Sequence, residues 1–156
     1  MNASSSTPID IGSKTDFPEG KGREVKVKGR SLSIFRYKSK LYAMDHHCYH
    51  MGGPLAEGDI EDITLNNEIH PCVVCPWHKY NVSLITGEGI YKHEDPFLPP
   101  ATRQKTSCMK SRGKKQRLHE IYEVDSGGSG GRVMVKLNES KSFKYESDRY
   151  SEGNNL

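Results

Sequence analysis

The sequence predicts an all-β domain of short antiparallel strands, on three observations. Alternating or β-branched runs recur between residues 23 and 137, and turn-forming residues separate them. No stretch sustains an apolar i, i+3, i+4, i+7 face. The first run, 23–28, alternates through Glu24, Val25, Lys26 and Val27 and stops at Lys28-Gly29. The second and third, 31–37 and 41–45, are separated by Lys38-Ser39-Lys40. The fourth, 80–85, ends at Thr86-Gly87-Glu88-Gly89. Prolines at 96, 99 and 100 then break the middle of the chain. The last two runs, 119–125 and 132–137, flank a Ser/Gly segment at 126–131. That segment lacks the Gly-Lys-Ser/Thr ending of a phosphate loop and precedes a strand rather than a helix, so it is expected to be a hairpin turn.

The chain has 156 residues, which suits one domain with extensions. Leu, Ile, Val and Phe make up 30 of them, a proportion at the edge of what a folded protein needs. Most of the shortage lies at the two ends. Residues 1–22 and 139–156 are polar and aperiodic and are expected to be flexible tails, leaving 23–138 as the domain. A core this thin would gain from a metal or a disulfide. No apolar run approaches the ~20 residues of a membrane helix, and the start of the chain has no secretory apolar segment. The expectation is a soluble, cytoplasmic protein with reduced thiols. The Asn-x-Ser triplets at Asn2, Asn81 and Asn138 are then not glycosylation sites.

Two charge runs stand out. Glu57, Asp59, Glu61, Asp62 and Glu68 form an acidic stretch without a base. Arg103, Lys105, Lys110, Arg112, Lys114, Lys115 and Arg117 form a basic loop, about 101–117, without an acid. Both are expected to be solvated loops. The basic one has a second reading as a docking surface for an acidic partner. Nucleic acid is disfavoured, because no aromatic interleaves the bases and the net charge is only +3. No hydrolase motif of the Gly-x-Ser-x-Gly or His-Glu-x-x-His kind occurs.

The residues that carry chemistry are Cys48-Tyr49-His50 and Cys75-Pro76-Trp77-His78, separated by the 24 residues 51–74. Two thiolates and two imidazoles in two short-range chelates suit either one tetrahedral zinc or a two-iron cluster with two protein ligands per iron. The neighbouring Gly52-Gly53-Pro54 favours the cluster, since inorganic sulfides need close approach by backbone N–H groups. Cys72 is expected to be a buried strand cysteine and Cys108 a free thiol. His46 and His47 are expected to be ordinary surface histidines, with Tyr49 and Trp77 covering the site from water.

These motifs resemble those of the Rieske [2Fe–2S] family, and most closely the small soluble Rieske ferredoxins. Cys48-x-His50-x-Gly52-Gly53-Pro54-Leu55 is similar to the family's first cluster loop and Cys75-Pro76-Trp77-His78 to its second. Leu98-Pro99-Pro100 is similar to its proline-bearing third loop over the cluster. The resemblance covers roughly 23–138. It implies a Rieske-type antiparallel β-sandwich with a cluster-binding subdomain formed by two loops, about 46–58 and 72–84. It also implies one [2Fe–2S] cluster, with Cys48 and Cys75 on one iron and His50 and His78 on the other. High-potential members carry a disulfide at the positions of Gly53 and Trp77 and a serine at that of Tyr80. The differences here imply a potential near the lower end of the roughly −150 to +300 mV Rieske range. The spacing between the ligand pairs is longer than is usual in the family, and the acidic stretch is expected to hold the extra residues.

The function implied is that of a monomeric one-electron carrier, without catalysis of its own, between a flavin-containing reductase and an oxygenase-like or other redox acceptor. No Gly-x-Gly-x-x-Gly follows a strand to bind a flavin or nicotinamide in this chain. The alternatives are a zinc-stapled binding module and a cluster-based redox or iron sensor.

Overall fold

The computed structural model describes residues 7–106, 108–125 and 130–151. Its strands are β1 (Ile9–Ser13), β2 (Gly22–Val27), β3 (Arg30–Tyr37), β4 (Lys40–Asp45), β5 (Asp59–Leu65) and β6 (Glu68–Val74). They continue as β7 (Asn81–Ser83), β8 (Glu88–His93), β9 (Cys108–Lys114), β10 (Leu118–Asp125) and β11 (Gly131–Lys136), with one short helix, α1 (Pro100–Thr106), before β9. The strands pair antiparallel in two sheets, ordered β1-β11-β10-β4-β3-β2 and β5-β6-β7-β8-β9. The all-β antiparallel expectation holds.

The second sheet and both cysteine-bearing loops are inserted between β4 and β10, which pair through Met44 and Leu118. β3 and β4 form the wall between the two halves. Alternate residues of a strand face opposite sides, and here both sides are covered. Leu32, Ile34 and Ala43 join a core with Phe17, Val133 and Val135. Phe35 and Met44 join a second core with Leu55, Val73, Val82 and Leu84, which also takes in Cys48 and Cys75. Phe35 is fully buried, and truncating it to Ala would cost about 3–5 kcal/mol.

Five strands lie outside the predicted runs: β1, β5, β6, β8 and β9. The acidic stretch is β5 rather than a solvated loop. Ile60 and Ile63 are half-buried and Leu65 is buried, while the acids between them face water. β5 turns into β6 through Asn66 and Asn67, both with positive φ, as a two-residue hairpin requires. The basic loop is α1 followed by β9, which pairs with β8 as an edge strand. Its lysine and arginine content hides a strand, in keeping with the charged side chains that edges favour. The side chain of Lys105 lies outside the described residues, as do residues 126–129 of the Ser/Gly segment.

The end segments are built into the fold where composition predicts tails, although residues 1–6 and 152–156 lie outside the described residues. β1 adds to the edge of β11, and Phe17 is buried in the first core. Near the other end, residues 146–150 form a 3-10 turn held by charge rather than apolar area. Asp148 accepts two hydrogen bonds from Arg117, each 2.8 Å, and a third from Arg30 at 3.1 Å. Arg30 also makes a bidentate pair with buried Asp45 at 2.7 and 2.8 Å. His119 completes the network in its neutral form. Its Nδ1 accepts from the Asn138 N–H at 2.9 Å, so Nε2–H donates to Asp45 at 2.8 Å. Polar composition concealed these segments because buried ion pairs and an added edge strand need few hydrophobic residues.

Candidate metal centre

Two loops of matching geometry carry the four predicted ligands. In the first, the Cys48 N–H donates to the Gly53 carbonyl and the Gly52 N–H to the Cys48 carbonyl, both at 2.8 Å. In the second, the Cys75 N–H donates to the Tyr80 carbonyl and the Lys79 N–H to the Cys75 carbonyl, again at 2.8 Å. Each loop turns back through a left-handed residue four positions after its cysteine, Gly52 (φ 82°) and Lys79 (φ 61°). The repeat holds the two cysteines in equivalent turns, with His50 two residues and His78 three residues beyond them.

The structure brings the cysteines together and the histidines together. Cys48 and Cys75 are buried and share a hydrogen bond between their sulfurs. That bond, with further hydrogen bonds from the Trp77 and His78 N–H groups, lowers the Cys75 thiol to about 6. The same bond pushes the Cys48 thiol upward, against hydrogen bonds from the His50 and Met51 N–H groups. The pair thus holds one thiolate readily, and the four backbone donors stand ready for two sulfurs of negative character. The His50 and His78 rings lie edge to face, 5.0 Å between centroids, with His50 half-buried and His78 exposed. Burial, and then the charges of His78, Arg112 and Arg149, hold the His50 imidazole below its ordinary range.

This donor set fits a two-iron cluster better than one ion. Among the described residues, no three His, Cys, Asp or Glu side chains gather around a point where they could hold a single metal. The donors come instead as a sulfur pair inside and a nitrogen pair at the surface. Gly53 lines the cradle: a Cβ there would meet the Cys75 sulfur at 2.7 Å and the Trp77 ring at 3.2 Å. The absence of a side chain at Gly53 therefore leaves space beside the inner pair.

A family model described as a soluble Rieske-type ferredoxin matches residues 9–140. The chain belongs to that family. The match begins at β1, so the family's domain takes in the strand that composition assigned to a tail. This ferredoxin is 40% identical over 145 residues to a human Rieske domain-containing protein, covering 93% of this chain and 83% of that one. It is 29% identical over 82 residues to the ferredoxin component of the naphthalene 1,2-dioxygenase/salicylate 5-hydroxylase systems of Ralstonia sp.. That match covers 53% of this chain and 71% of the relative. Among solved structures, it superposes on the ferredoxin of carbazole 1,9a-dioxygenase from Nocardioides aromaticivorans with a TM-score of 0.53. The identity there is 18%, with 85% and 100% of the two chains covered, and this supports the shared fold. Ferredoxin components of such systems carry electrons and are not themselves the catalysts.

Other predicted neighbours divide. Cys72 is buried on β6, as expected, and Cys108 is exposed. Trp77 is 58% exposed, so it borders the site rather than sealing it, whereas Tyr49 is buried. His46 and His47 are not surface residues of the expected kind. His46 is buried and bonded to Ser33 at 2.8 Å, and His47 Nδ1 donates to the Gly52 carbonyl at 3.1 Å, bracing the first loop. Leu98-Pro99-Pro100 leads into α1, where Arg103 donates to the Leu98 carbonyl at 2.9 Å.

Sequence reasoning missed the residues that hold the first loop from outside. Gln116 is fully buried: its Nε2 donates to the carbonyls of Asp45 and His47, and its Oε1 accepts from the Tyr49 N–H. Tyr150 donates to the His50 carbonyl at 3.2 Å and lays its ring against Gly52. Arg149 donates to the Tyr49 carbonyl at 3.3 Å. An amide inside a basic run gives no periodic or motif signal, and no local pattern announces contacts made a hundred residues away.

Proposed function

We propose that this chain is a one-electron carrier in which Cys48, His50, Cys75 and His78 hold a single Rieske [2Fe–2S] cluster. The observation that carries the reading is the segregation of the donors, thiols paired in the interior and imidazoles paired at the surface, on two loops of one geometry. When bound, the cluster supplies a centre that accepts and returns one electron. The chain's own residues set its surroundings. Backbone N–H groups after each cysteine temper the negative charge on the thiolate side. The buried core beneath keeps water from that side. The exposed edge of His78, and that of His50 beside it, shorten the path to a partner. Tyr80 stands where high-potential members have serine, which supports a potential near the lower end of the Rieske range.

The reading extends to partners and place. A flavin-containing reductase is the donor in this reading and an oxygenase-like protein the acceptor; the acceptor is supported by a relative that is the ferredoxin component of dioxygenase and hydroxylase systems. The carrier works as a soluble monomer in a reducing intracellular compartment. No helix among the described residues is long and apolar enough to cross a membrane.

The test is reconstitution of the full chain with iron and sulfide, followed by metal and sulfide analysis and electron paramagnetic resonance of the reduced form. Two irons and two sulfides per chain, a red-brown colour and a mixed nitrogen/sulfur signal are expected. Cys75→Ser should lose the cluster, and His78→Cys should keep one of altered colour and lower potential. A colourless protein that binds one zinc with full thermal stability overturns the reading.

A further inference from the structure

A shallow cavity of about 240 Å³ opens beside His50. His50 and Tyr80 line its inner side, and Arg112, Lys115 and Arg149 stand around it with a single acid, Glu146. Glu146 is shared between Lys115 and Arg149. Arg112 reaches in from edge strand β9 and lies over two aromatic rings, 4.3 Å from the centroid of Tyr91 and 5.3 Å from that of Tyr80. Among the described residues it has no carboxylate partner. The cavity therefore keeps two net positive charges next to a histidine edge. On the same tip, Met51 and Trp77 are 54% and 58% exposed. A larger hollow of about 670 Å³ lies near the C-terminal turn, but its arginines, Arg30 and Arg117, already pair with Asp45 and Asp148.

We infer that this cleft is the docking site for an acidic redox partner protein, which sets a surface carboxylate between Arg112 and Arg149 and covers Met51 and Trp77. The inference rests on the carrier reading and adds the chemistry of the partner's face. Charge complementarity selects the occupant. A carboxylate entering the cleft would satisfy the unpaired guanidinium of Arg112, whose fork suits a carboxylate and whose aromatic backing fixes its plane. The cations lie on one side of the histidine edge and the exposed apolar chains on the tip, so the footprint orients a partner as well as attracting it. Two exposed apolar side chains are few for insertion into a lipid surface, which favours a protein.

The test uses reduced, cluster-loaded full-length protein in a stopped-flow spectrometer, with acid-faced cytochrome b5 and base-faced cytochrome c as acceptors. Raising ionic strength from about 0.02 M to 0.3 M should slow reduction of cytochrome b5 by about tenfold and should not slow that of cytochrome c. Arg112→Glu should lower the low-salt rate with cytochrome b5 at least fivefold, with little change at high salt. Lys40→Glu makes the same change in net charge at the far end of β4 and should alter that rate less than twofold. Arg112→Gln, which keeps the packing better, should show the same direction at about half the effect on a logarithmic scale. Equal effects of Arg112→Glu and Lys40→Glu overturn the docking site and leave the carrier reading standing. Failure to reduce either cytochrome at any salt overturns the carrier reading and the docking site with it. Binding to phosphatidylserine vesicles that Arg112→Glu abolishes, with cytochrome b5 rates unchanged, reassigns the patch to a membrane and also overturns the proposal.

Discussion

The phenol ring of Tyr80 lies flat on the imidazole of His50, with centroids 3.8 Å apart and planes 9° from parallel. The second loop therefore supports a candidate ligand carried by the first. Tyr80 is also bonded through its carbonyl to the Cys75 N–H, so its ring and backbone serve one candidate ligand on each loop. An aromatic pair of this kind contributes about 0.5–1.5 kcal/mol beyond its buried area. Tyr80→Phe, which keeps the stack, should leave the reduced-state paramagnetic spectrum unchanged. Tyr80→Leu should broaden its g-spread, because nothing would then fix the plane of the His50 ring. Identical spectra for the two variants would show that the stack does not set the ring.

One position in each loop can be read by mutation. Gly53→Ala forces a Cβ to within 2.7 Å of the Cys75 sulfur, and reconstituted iron content should fall to about half or less. Lys79 adopts φ 61°, a conformation that costs a side chain roughly 1–2 kcal/mol. Lys79→Gly removes that strain at an entropic cost of roughly 0.5–1 kcal/mol. The variant should therefore keep its cluster and be as stable as the parent or more stable by up to about 1.5 kcal/mol in denaturant titration. A clear loss of stability would mean that the lysine side chain makes a compensating contact.

Gln116 holds three backbone groups of the first loop and its approach with one side chain. Gln116→Leu leaves two carbonyls and one N–H without these partners in a buried site, at roughly 1 kcal/mol or more each. A drop in stability of about 3 kcal/mol and faster cluster loss under a chelator are expected. Retention of the cluster at the parent rate would show that the loop is held by its own hydrogen bonds alone.

The Asp45 and Asp148 carboxyls sit below the usual carboxylate range. Burial works against their ionisation, and the hydrogen bonds and charges of Arg30 and Arg117 outweigh it. Groups with lowered folded values add stability above the unfolded value of about 3.9, and that stability is lost as pH falls from there through the folded value. The 3-10 turn at 146–150 should therefore detach below about pH 4, reported by hydrogen exchange at Tyr150. Asp148→Asn leaves Arg117 without its charge partner, should cost about 3 kcal/mol at pH 7, and should flatten the acid dependence. A variant that melts with the parent would assign the network no role in stability.

Sequence patterns single out the candidate site of this protein more fully than they do its architecture. The four candidate ligands stand out in the sequence because metal chelation demands particular residue types at short spacing, and the structure pairs the two sulfurs and the two rings. β3 and β4 are legible because their apolar residues are dense. β5 and β9 are not: acids fall on both faces of β5, and β9 carries a lysine or arginine at every second position from Lys110 to Lys114, so the alternation disappears into a run of a single sign. The outer supports of the first loop, Gln116, Arg149 and Tyr150, are invisible for a different reason: their value comes from tertiary proximity, and a lone amide, cation or phenol has no local signature. His46 and His47 show the converse error, where a residue type common at surfaces is recruited to brace a loop.

The insertion of the second sheet between β4 and β10 also governs how the molecule assembles. The Asp45 N–H is bonded to the Arg117 carbonyl at 2.9 Å, so the sheet that holds β4 and β10 closes only when some seventy intervening residues return to their starting point. Closing so long a loop costs chain entropy before its contacts repay it, and such topologies fold slowly. Ligation across Cys48, His50, Cys75 and His78 would tether the segment early in its search. Metal delivery would then act on the kinetics of maturation, and a cell short of iron would accumulate chains delayed at that closure.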